Sequence, residues 1–382
     1  MEIKNLKKAA ERIKKAVKSK EKIILYGDAD LDGVSSAIIL EETIKNLGGD
    51  VAAVYFPDRE SEGYGLSKTG LDHLKKLSPA LLITMDCGIG NFTEMKLAKK
   101  LGFFVLIIEH HEVLDKLPQA KIIVDPKQKS DRYSFKGLAN AGIVFKLAGL
   151  IMGKKMSETM RKNFVELAAL STIADTMPEI DENKIMIDEG LASLKDTWRP
   201  GLKIFFELDE VQNAGSLRMA AQRIVSILNV IEPKGHLNAT YLLLMADSIK
   251  EARMLMNELS EKRDRKQREI REITEEIEAI ILQKGKEAVI FEGNYSWSLG
   301  VLGAVASRIC NKHQKATFLF RKKEKESRGA VRTPQDVDAV QLMKKCSKYL
   351  LTFGGHARAA GFSVKNENLE KFKTCLAETL NK

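Results

Sequence analysis

The chain has 382 residues, a formal net charge of +10, 44% apolar residues and 30% charged residues. That length admits two or three domains, and the balance suits a globular protein with a substantial core rather than a disordered one. No window approaches the roughly 18 consecutive apolar residues of a membrane span, the first twenty residues lack the apolar segment of a secretory signal, and the basic excess favours anionic partners such as nucleic acid.

The N-terminal text places Ile3, Leu6, Ala9, Ile13 and Val17 at helical spacing. KIILYG (22–27) reads as a buried strand, GVSSAIILEETIKNLGG (33–49) as a helix stopped by a glycine pair, and VAAVYF (51–56) as a strand. SKTGLDHLKKL (67–77) is a helix capped by Ser67. ALLITMD (80–86) is a strand, NFTEMKLAKKLG (91–102) a helix, and FFVLIIE (103–109) and KIIVDP (121–126) are strands. Such alternation implies βαβ units and a parallel sheet covered on both faces, with ligands outside the carboxyl ends of the strands. Residues 137–243 read as mostly helical. Residues 246–286 read as one long helix linking two domains, because Ser260–Glu269 has no apolar residue and would break a coiled-coil seam. A second β-containing unit follows, with AVIFEG, the helix GVLGAVASRICNKH, ATFLFR and SRGAVRT. Cys87, Cys310, Cys346 and Cys375 match no CxxC pattern, so reduced thiols in a cytoplasmic protein are expected.

GDADLDGVSS places Asp28, Asp30 and Asp32 within five residues. Alternate residues of an extended segment point the same way, so the three acids converge. Like charges so close repel unless a cation neutralises them, and carboxylate oxygens suit magnesium or manganese. A turn in which one acid caps the following helix accounts for the same triplet. TMDCGIGN ends a strand in Asp86 and turns through glycines into a helix, a setting for an anion. VLIIEHHEVL ends the next strand in Glu109, His110 and His111. Asp175 lies in the apolar helical text ALSTIADTMPEID, and a buried Asp must be paired or coordinated. A mixed Asp and His set suggests two ions bridged by a shared carboxylate, which activate water and clamp phosphoryl oxygens.

The order DxDxDG, a strand ending in DCG, then xHH, then AD before a proline resembles the DHH phosphoesterase superfamily. The intervening text is similar to RecJ-type exonucleases: SEGYGLS (61–67), DCGIGN (86–91), EHHE (109–112), DPKQ (125–128), FKGLANAGIVFKL (135–147) and LSTIADTMP (170–178). SWSLGVLGAVASRI (296–309), SRGAVRT (327–333) and FGGHARAAGFSV (353–364) resemble the DHH-associated domain. The resemblance implies an α/β fold. Its parallel-sheet DHH domain (1–245) is joined by a connecting helix (246–286) to a smaller α/β substrate-binding domain (287–382), with the active site in the cleft between them. It implies that Asp30, Asp32, Asp86, His110 and Asp175 bind two Mn2+ or Mg2+ ions. Asp86, His110 and His111 are then catalytic, with His111 on substrate phosphate or the leaving oxygen, and Asp28 and Glu109 in support. Arg332, Gly354, Gly355 and His356 would hold a nucleotide phosphate, since Arg makes forked charge-assisted bonds and paired glycines let backbone amides approach. Arg308 and Asn229 are further substrate-binding candidates, and Trp297 stands behind them.

The sequence departs from the family pattern at several points. The triplet is EHH, with Glu109 one methylene longer than the usual acid but able to orient a ligand histidine. Tyr26 stands where many relatives carry His, which removes one candidate ligand or supporting group. NVIEPKGH (229–236) replaces a DNA-gripping NAAGR segment, keeping Asn229 with Lys234 or His236 for the Arg. WSLG replaces WHPG, GAVRT replaces GSARS with a hydroxyl lost at Ala330, and the text after the glycine-histidine segment is too short for a further oligonucleotide-binding domain. The core ligand set is complete. The expected function is therefore a metal-dependent exonuclease on single-stranded DNA or RNA, acting in DNA repair. The alternatives are a phosphodiesterase for short oligonucleotides or cyclic dinucleotides, and a non-catalytic replisome scaffold bound to replication proteins such as GINS. No membrane partner is expected.

Overall fold

The computed structural model describes residues 2–113, 116–285 and 287–380. The chain divides into two compact units, Met1–Arg263 and Asp264–Lys382. The first unit opens with α1 (Leu6–Lys18), β1 (Ile23–Gly27), α2 (Leu31–Asn46), β2 (Val51–Tyr55), α3 (Lys68–Leu74), β3 (Leu81–Met85), α4 (Phe92–Lys100), β4 (Phe104–Ile108) and β5 (Ile122–Val124). The five strands form one parallel sheet in the order β2-β1-β3-β4-β5. Alternate residues serve opposite faces, as a pleated strand requires. Ile23, Leu25, Leu81, Ile83, Leu106 and Ile108 join the larger core, while Ile24, Tyr26, Leu82, Val105 and Ile107 join the core beneath α3 and α4. The near-continuous apolar runs of the strands follow from this two-sided burial.

Helices α5 (Asn140–Met152), α6 (Glu158–Ala174), α7 (Asp181–Leu194), the short α8 (Pro200–Lys203) and α9 (Asp209–Gln212), and α10 (Leu217–Leu228) come next. A small hairpin, β6 (Pro233–Lys234) and β7 (Leu237–Asn238), leads into α11 (Ala239–Leu244). This hairpin was not expected, because its four strand residues carry no alternation.

The long helix is continuous as α12 (Ile249–Lys284). Its Ala252, Met256 and Leu259 belong to the core of the first unit, and Ile270, Ile273 and Ile277 to that of the second. The units part at Arg263–Asp264, inside the stretch without apolar residues, where the helix has no side chain to contribute to either core. No helix of the described residues is long and apolar enough to cross a membrane.

The second unit contains β8 (Ile290–Asn294), α13 (Leu299–His313), β9 (Thr317–Lys322), β10 (Glu326–Arg332), α14 (Ala339–Lys345), β11 (Leu350–His356), β12 (Ala359–Lys365) and α15 (Leu369–Leu380). Its sheet has the order β11-β12-β10-β9-β8, antiparallel except for the β8–β9 pair. Cys346 and Cys375 form a disulfide with Cα atoms 6.0 Å apart, against the expectation of reduced thiols throughout. Their 29-residue separation hides a spatial pairing that no spacing motif signals. Cys87 and Cys310 are free and buried.

Strand register sets up the site. Gly27 pairs with Met85, Met85 with Ile108, and Ile108 with Val124. The next residue of each strand is acidic: Asp28, Asp86, Glu109 and Asp125. The ladder continues through them, with Asp28 N–H donating to Met85 O (3.1 Å), Asp86 N–H to Ile108 O (3.0 Å) and Glu109 N–H to Val124 O (2.9 Å). Four carboxyl groups therefore stand in one row at the carboxyl edge of the sheet.

Candidate metal centre

The acidic triplet is not extended, contrary to the sequence reading. Asp28 follows β1, Asp30 caps α2 by accepting from Gly33 N–H (3.2 Å), and Asp32 lies in the first helical turn. The turn is tight enough that a Cβ on Gly33 would fall 2.3 Å from the Asp28 carbonyl oxygen. The three acids consequently divide between two groups. Asp28 and Asp30 converge with Asp86, while Asp32 converges with His110 and Asp175. Asp86, His110 and His111 form a third, overlapping set. In each set the ligand atoms lie within 4.8 Å of one another. Asp28 and Asp30 thus lie in the same group.

One segment remote in sequence, residues 138–141, fixes two of these side chains. Asp32 accepts from the N–H groups of Asn140 (2.7 Å) and Ala141 (2.8 Å), the free amides that begin α5, where a negative charge is favoured. His110 Nδ1 lies 3.1 Å from the Leu138 carbonyl, so it donates there and leaves Nε2 unprotonated. Nε2 then presents a lone pair to Asp86 Oδ1 at 3.1 Å, Asp175 Oδ2 at 3.6 Å and Asp32 Oδ2 at 3.8 Å. Both Nε2 and Asp86 Oδ1 are buried acceptors without a hydrogen-bond partner. Acceptors facing one another in a buried site need a proton or a cation between them, and a neutral imidazole with carboxylates fits manganese or magnesium.

Electrostatics agree. Burial, with the charges of Asp30, Asp32 and Asp28, pushes Asp86 well above the usual carboxylate range. Burial and Asp175 raise Asp32 similarly. Burial and the charge of His111 hold the His110 pKa down at about 3. Asp86 adopts φ 60° and Thr176, next to Asp175, φ 56°. Left-handed non-glycine residues of this kind cost of order 1 kcal/mol or more each and cluster at functional sites. Asp175 corrects the sequence reading. It ends α6 rather than lying inside it, with 35% of its side chain exposed; burial and Asp30 raise its pKa to about 6.

Glu109 belongs to none of the three ligand groups but holds two members of the third, His110 and His111. Its carboxylate accepts from His111 Nδ1 (2.8 Å) and from the N–H groups of His110 (2.9 Å), His111 (3.2 Å) and Ile89 (3.4 Å). Burial alone would lower the His111 pKa, but the charge and hydrogen bond of Glu109 outweigh it and hold it at about 9. Tyr26 turns away from the three ligand groups. Its hydroxyl donates to Gly65 O (3.2 Å) and accepts from Ser67 N–H (3.2 Å), and its ring stacks on Tyr55 at 5.1 Å. It anchors the loop after β2.

Sequence reasoning missed what that loop carries. Arg59 binds Asp28 Oδ2 at 2.7 Å and Asp30 Oδ2 at 2.8 Å, and its guanidinium lies 4.7 Å from the Tyr64 ring centre. Glu62 organises the loop by accepting from Tyr55 (3.0 Å), Asp58 N–H (3.1 Å) and Ser67. Asp125, the first residue of DPKQ, was also missed. It is fully buried, and burial raises its pKa to about 7. Strand register was the signal for it.

Asn229 accepts from Leu31 N–H at 3.1 Å, so its oxygen serves the acidic turn. In the second unit, Arg332 and His356 both pair with Ala359, which places them level at one end of the sheet. The side chain of His356 lies outside the described residues. Arg332 packs over Gly303 of α13 and donates to Val331 O (2.8 Å). Gly355 has φ 139° and a Cβ there would meet Ala359 O at 2.5 Å, so strand pairing already requires it. Gly354 faces open space. Arg308 is exposed and donates to Gln267 (3.3 Å). Trp297 is a packing residue, buried and bonded to Glu276 at 3.0 Å.

Comparison with known proteins agrees with this geometry. Residues 22–172 match the DHH family, N-terminal domain, and residues 285–382 match the DHHA1 domain. The chain is 34% identical to the single-stranded-DNA-specific exonuclease RecJ of Bacillus subtilis, over 99% of this chain and 48% of that protein. It is 29% identical to the RecJ of Thermus thermophilus, over 97% of this chain and 54% of that protein. It thus spans about half the length of these relatives. A crystal structure of exonuclease RecJ bound to manganese superposes with a TM-score of 0.83 at 27% identity, covering 100% of this chain and 96% of the other. The structure of Thermus thermophilus RecJ in complex with Mn2+ gives 0.83 at 26% identity, covering 100% of this chain and 55% of the other. The chain carries a DHH N-terminal domain and a DHHA1 domain, and is a homologue of the RecJ exonucleases.

Proposed function

We propose that the chain is a divalent-metal-dependent exonuclease that hydrolyses phosphodiester bonds in single-stranded DNA. One observation carries this reading: the unprotonated Nε2 of His110 faces three carboxylates at the sheet edge, and Asp86 is shared between the groups on either side. The names of the RecJ relatives and the manganese in their structures support it. Asp32, Asp86, His110 and Asp175 would hold one ion, and Asp28, Asp30 and Asp86 the other. Such a pair supplies an activated water and a clamp on phosphoryl oxygens. His111 is kept cationic by Glu109 and 37% of its side chain is exposed, which suits it to meet the charge of the substrate phosphate or leaving oxygen.

Residues 1–245 then form the metal domain, 246–286 the connecting helix and 287–382 the substrate domain, where Arg332, Gly354, Gly355, His356 and Arg308 hold a phosphate. A DNA substrate is also the ground for a cytoplasmic location.

The test is a product-length time course with Mn2+ on end-labelled single-stranded DNA, single-stranded RNA and dinucleotides. The expected result is stepwise shortening of the DNA strand, with steep salt dependence of binding. Asp86→Ala and His110→Ala should abolish turnover while the circular dichroism spectrum is kept. Turnover of dinucleotides alone would refute the exonuclease reading, and activity persisting in Asp86→Ala would refute the metal assignment.

A further inference from the structure

The acidic turn between β1 and α2 is held from outside by two asparagines, 209 and 198 residues away in sequence from the groups they hold. Asn238 Nδ2 donates to the Ala29 carbonyl at 2.7 Å, and Leu31 N–H donates to Asn229 Oδ1 at 3.1 Å. The gripped residues alternate with the acids: Ala29 lies between Asp28 and Asp30, and Leu31 between Asp30 and Asp32. Moving either grip therefore moves all three carboxylates. The first N–H groups of a helix have no partner within it, so Leu31 N–H depends on Asn229.

The two asparagines belong to one frame. Asn229 ends α10, and Asn238 caps α11 by accepting from Thr240 N–H (2.7 Å). Thr240 Oγ1 donates back to Leu228 O (2.7 Å), beside Asn229. The hairpin between them is fastened to the sheet where Phe56 N–H donates to His236 O (3.0 Å), and to α12 by the Lys234–Glu258 pair (2.5 Å). Asn238 is buried and must donate on one side and accept on the other. An amide does both, whereas a carboxylate has no donor and would add a charge beside three acids.

We propose that Asn229 and Asn238 are positioning residues of the metal centre, clamping the acidic turn so that Asp28, Asp30 and Asp32 are set for ion binding without either asparagine touching substrate. This deepens the function proposed above and rests on it.

Asn238→Ser keeps an acceptor for the α11 cap but cannot reach Ala29. Mn2+ titration calorimetry of the full chain without nucleic acid should show about tenfold weaker binding. The melting temperature in EDTA should fall by no more than about 4 °C, and binding of a single-stranded oligonucleotide in EDTA should not change. Asn229→Ala should weaken Mn2+ binding similarly, and Asn229→Asp, which keeps the acceptor, should recover most of it. If the wild type binds Mn2+ and both Asn238→Ser and Asn229→Ala bind it equally well, the clamp is overturned and the metal centre stands. If the wild type takes up no Mn2+, the metal centre falls and the clamp with it. Loss of oligonucleotide binding in EDTA with Mn2+ affinity intact would make Asn229 a substrate contact and also overturn the clamp.

Discussion

Glu109→Gln separates charge from shape at the end of β4. The amide keeps the side-chain length but removes the negative charge that lies 2.8 Å from His111 Nδ1. In the wild type, burial works against the His111 charge, yet Glu109 holds the pKa at about 9, against an ordinary 6.5. The folded value lies above the unfolded one, so the pair contributes fully below pH 6.5, and the contribution is lost as pH rises through 9. The whole interval corresponds to about 3.4 kcal/mol. The His111 side chain is 37% exposed, and solvent screening reduces this to roughly 1.5 kcal/mol. The assay is urea unfolding in EDTA at pH 6.5 and pH 9. The wild type should lose about 1.5 kcal/mol from this pair between the two, and Glu109→Gln less than about 0.5 kcal/mol. Glu109→Asp keeps the charge and should follow the wild type. Asp125, raised to about 7 and sensitive to the charges of Glu109 and His111, titrates in the same window, so the difference between Glu109→Gln and Glu109→Asp reads the effect of the Glu109 charge as a whole. Equal losses in wild type and Glu109→Gln would refute the assigned ion pair.

Arg59→Gln leaves Asp28 and Asp30 without their guanidinium, at a cost of about 2 kcal/mol in EDTA. Scanning calorimetry should find that cost much reduced in saturating Mn2+, and an equal cost in both conditions would contradict the shared role of Arg59 and the ions. Gly33→Ala forces a Cβ to within 2.3 Å of the Asp28 carbonyl oxygen. Backbone cannot yield as a side chain does, so destabilisation above about 3 kcal/mol is expected in chemical unfolding, and a near-neutral result would contradict the tight turn. Mn2+ at 100 times its dissociation constant should raise the unfolding free energy by about 2.7 kcal/mol; Asp86→Asn should abolish that gain, and its survival would place the ions elsewhere.

The parallel sheet, its two covered faces and the long helix were legible because short apolar runs, glycine stops and a long charged helical pattern are local signals. The acidic strand ends were legible for the same reason. What could not be read depends on partners remote in sequence. Asp30 reads equally as cap and ligand, and the structure gives it both settings, because the cap is local while Asp86 arrives 56 positions later. Arg59 lies in a loop whose sequence has no period, and only the Tyr26 and Glu62 anchors turn it towards Asp28. Asp125 looks like a strand-to-loop residue until register sets it level with Glu109. Cys346 and Cys375 likewise meet only through the packing of α15.

A charge balance links these pieces. Among the described residues, seven carboxyl groups gather at this edge: Asp28, Asp30, Asp32, Asp86, Glu109, Asp125 and Asp175. Three cationic side chains act on them, Arg59, His111 and Lys127. The acids outnumber the cations, and Lys127 is itself paired with Glu112 at 3.1 Å. Without ions, part of the excess negative charge is met by protons. Asp125 is raised to about 7, Asp175 to about 6, and Asp86 and Asp32 are raised by burial and by their neighbours. Arg59 meanwhile neutralises the pair at the mouth of the turn. Ion uptake and proton release are then one linked equilibrium. The acids that repel one another most are those that converge on His110 and Asp86, so the electrostatic cost carried by the fold is concentrated where a divalent ion relieves it.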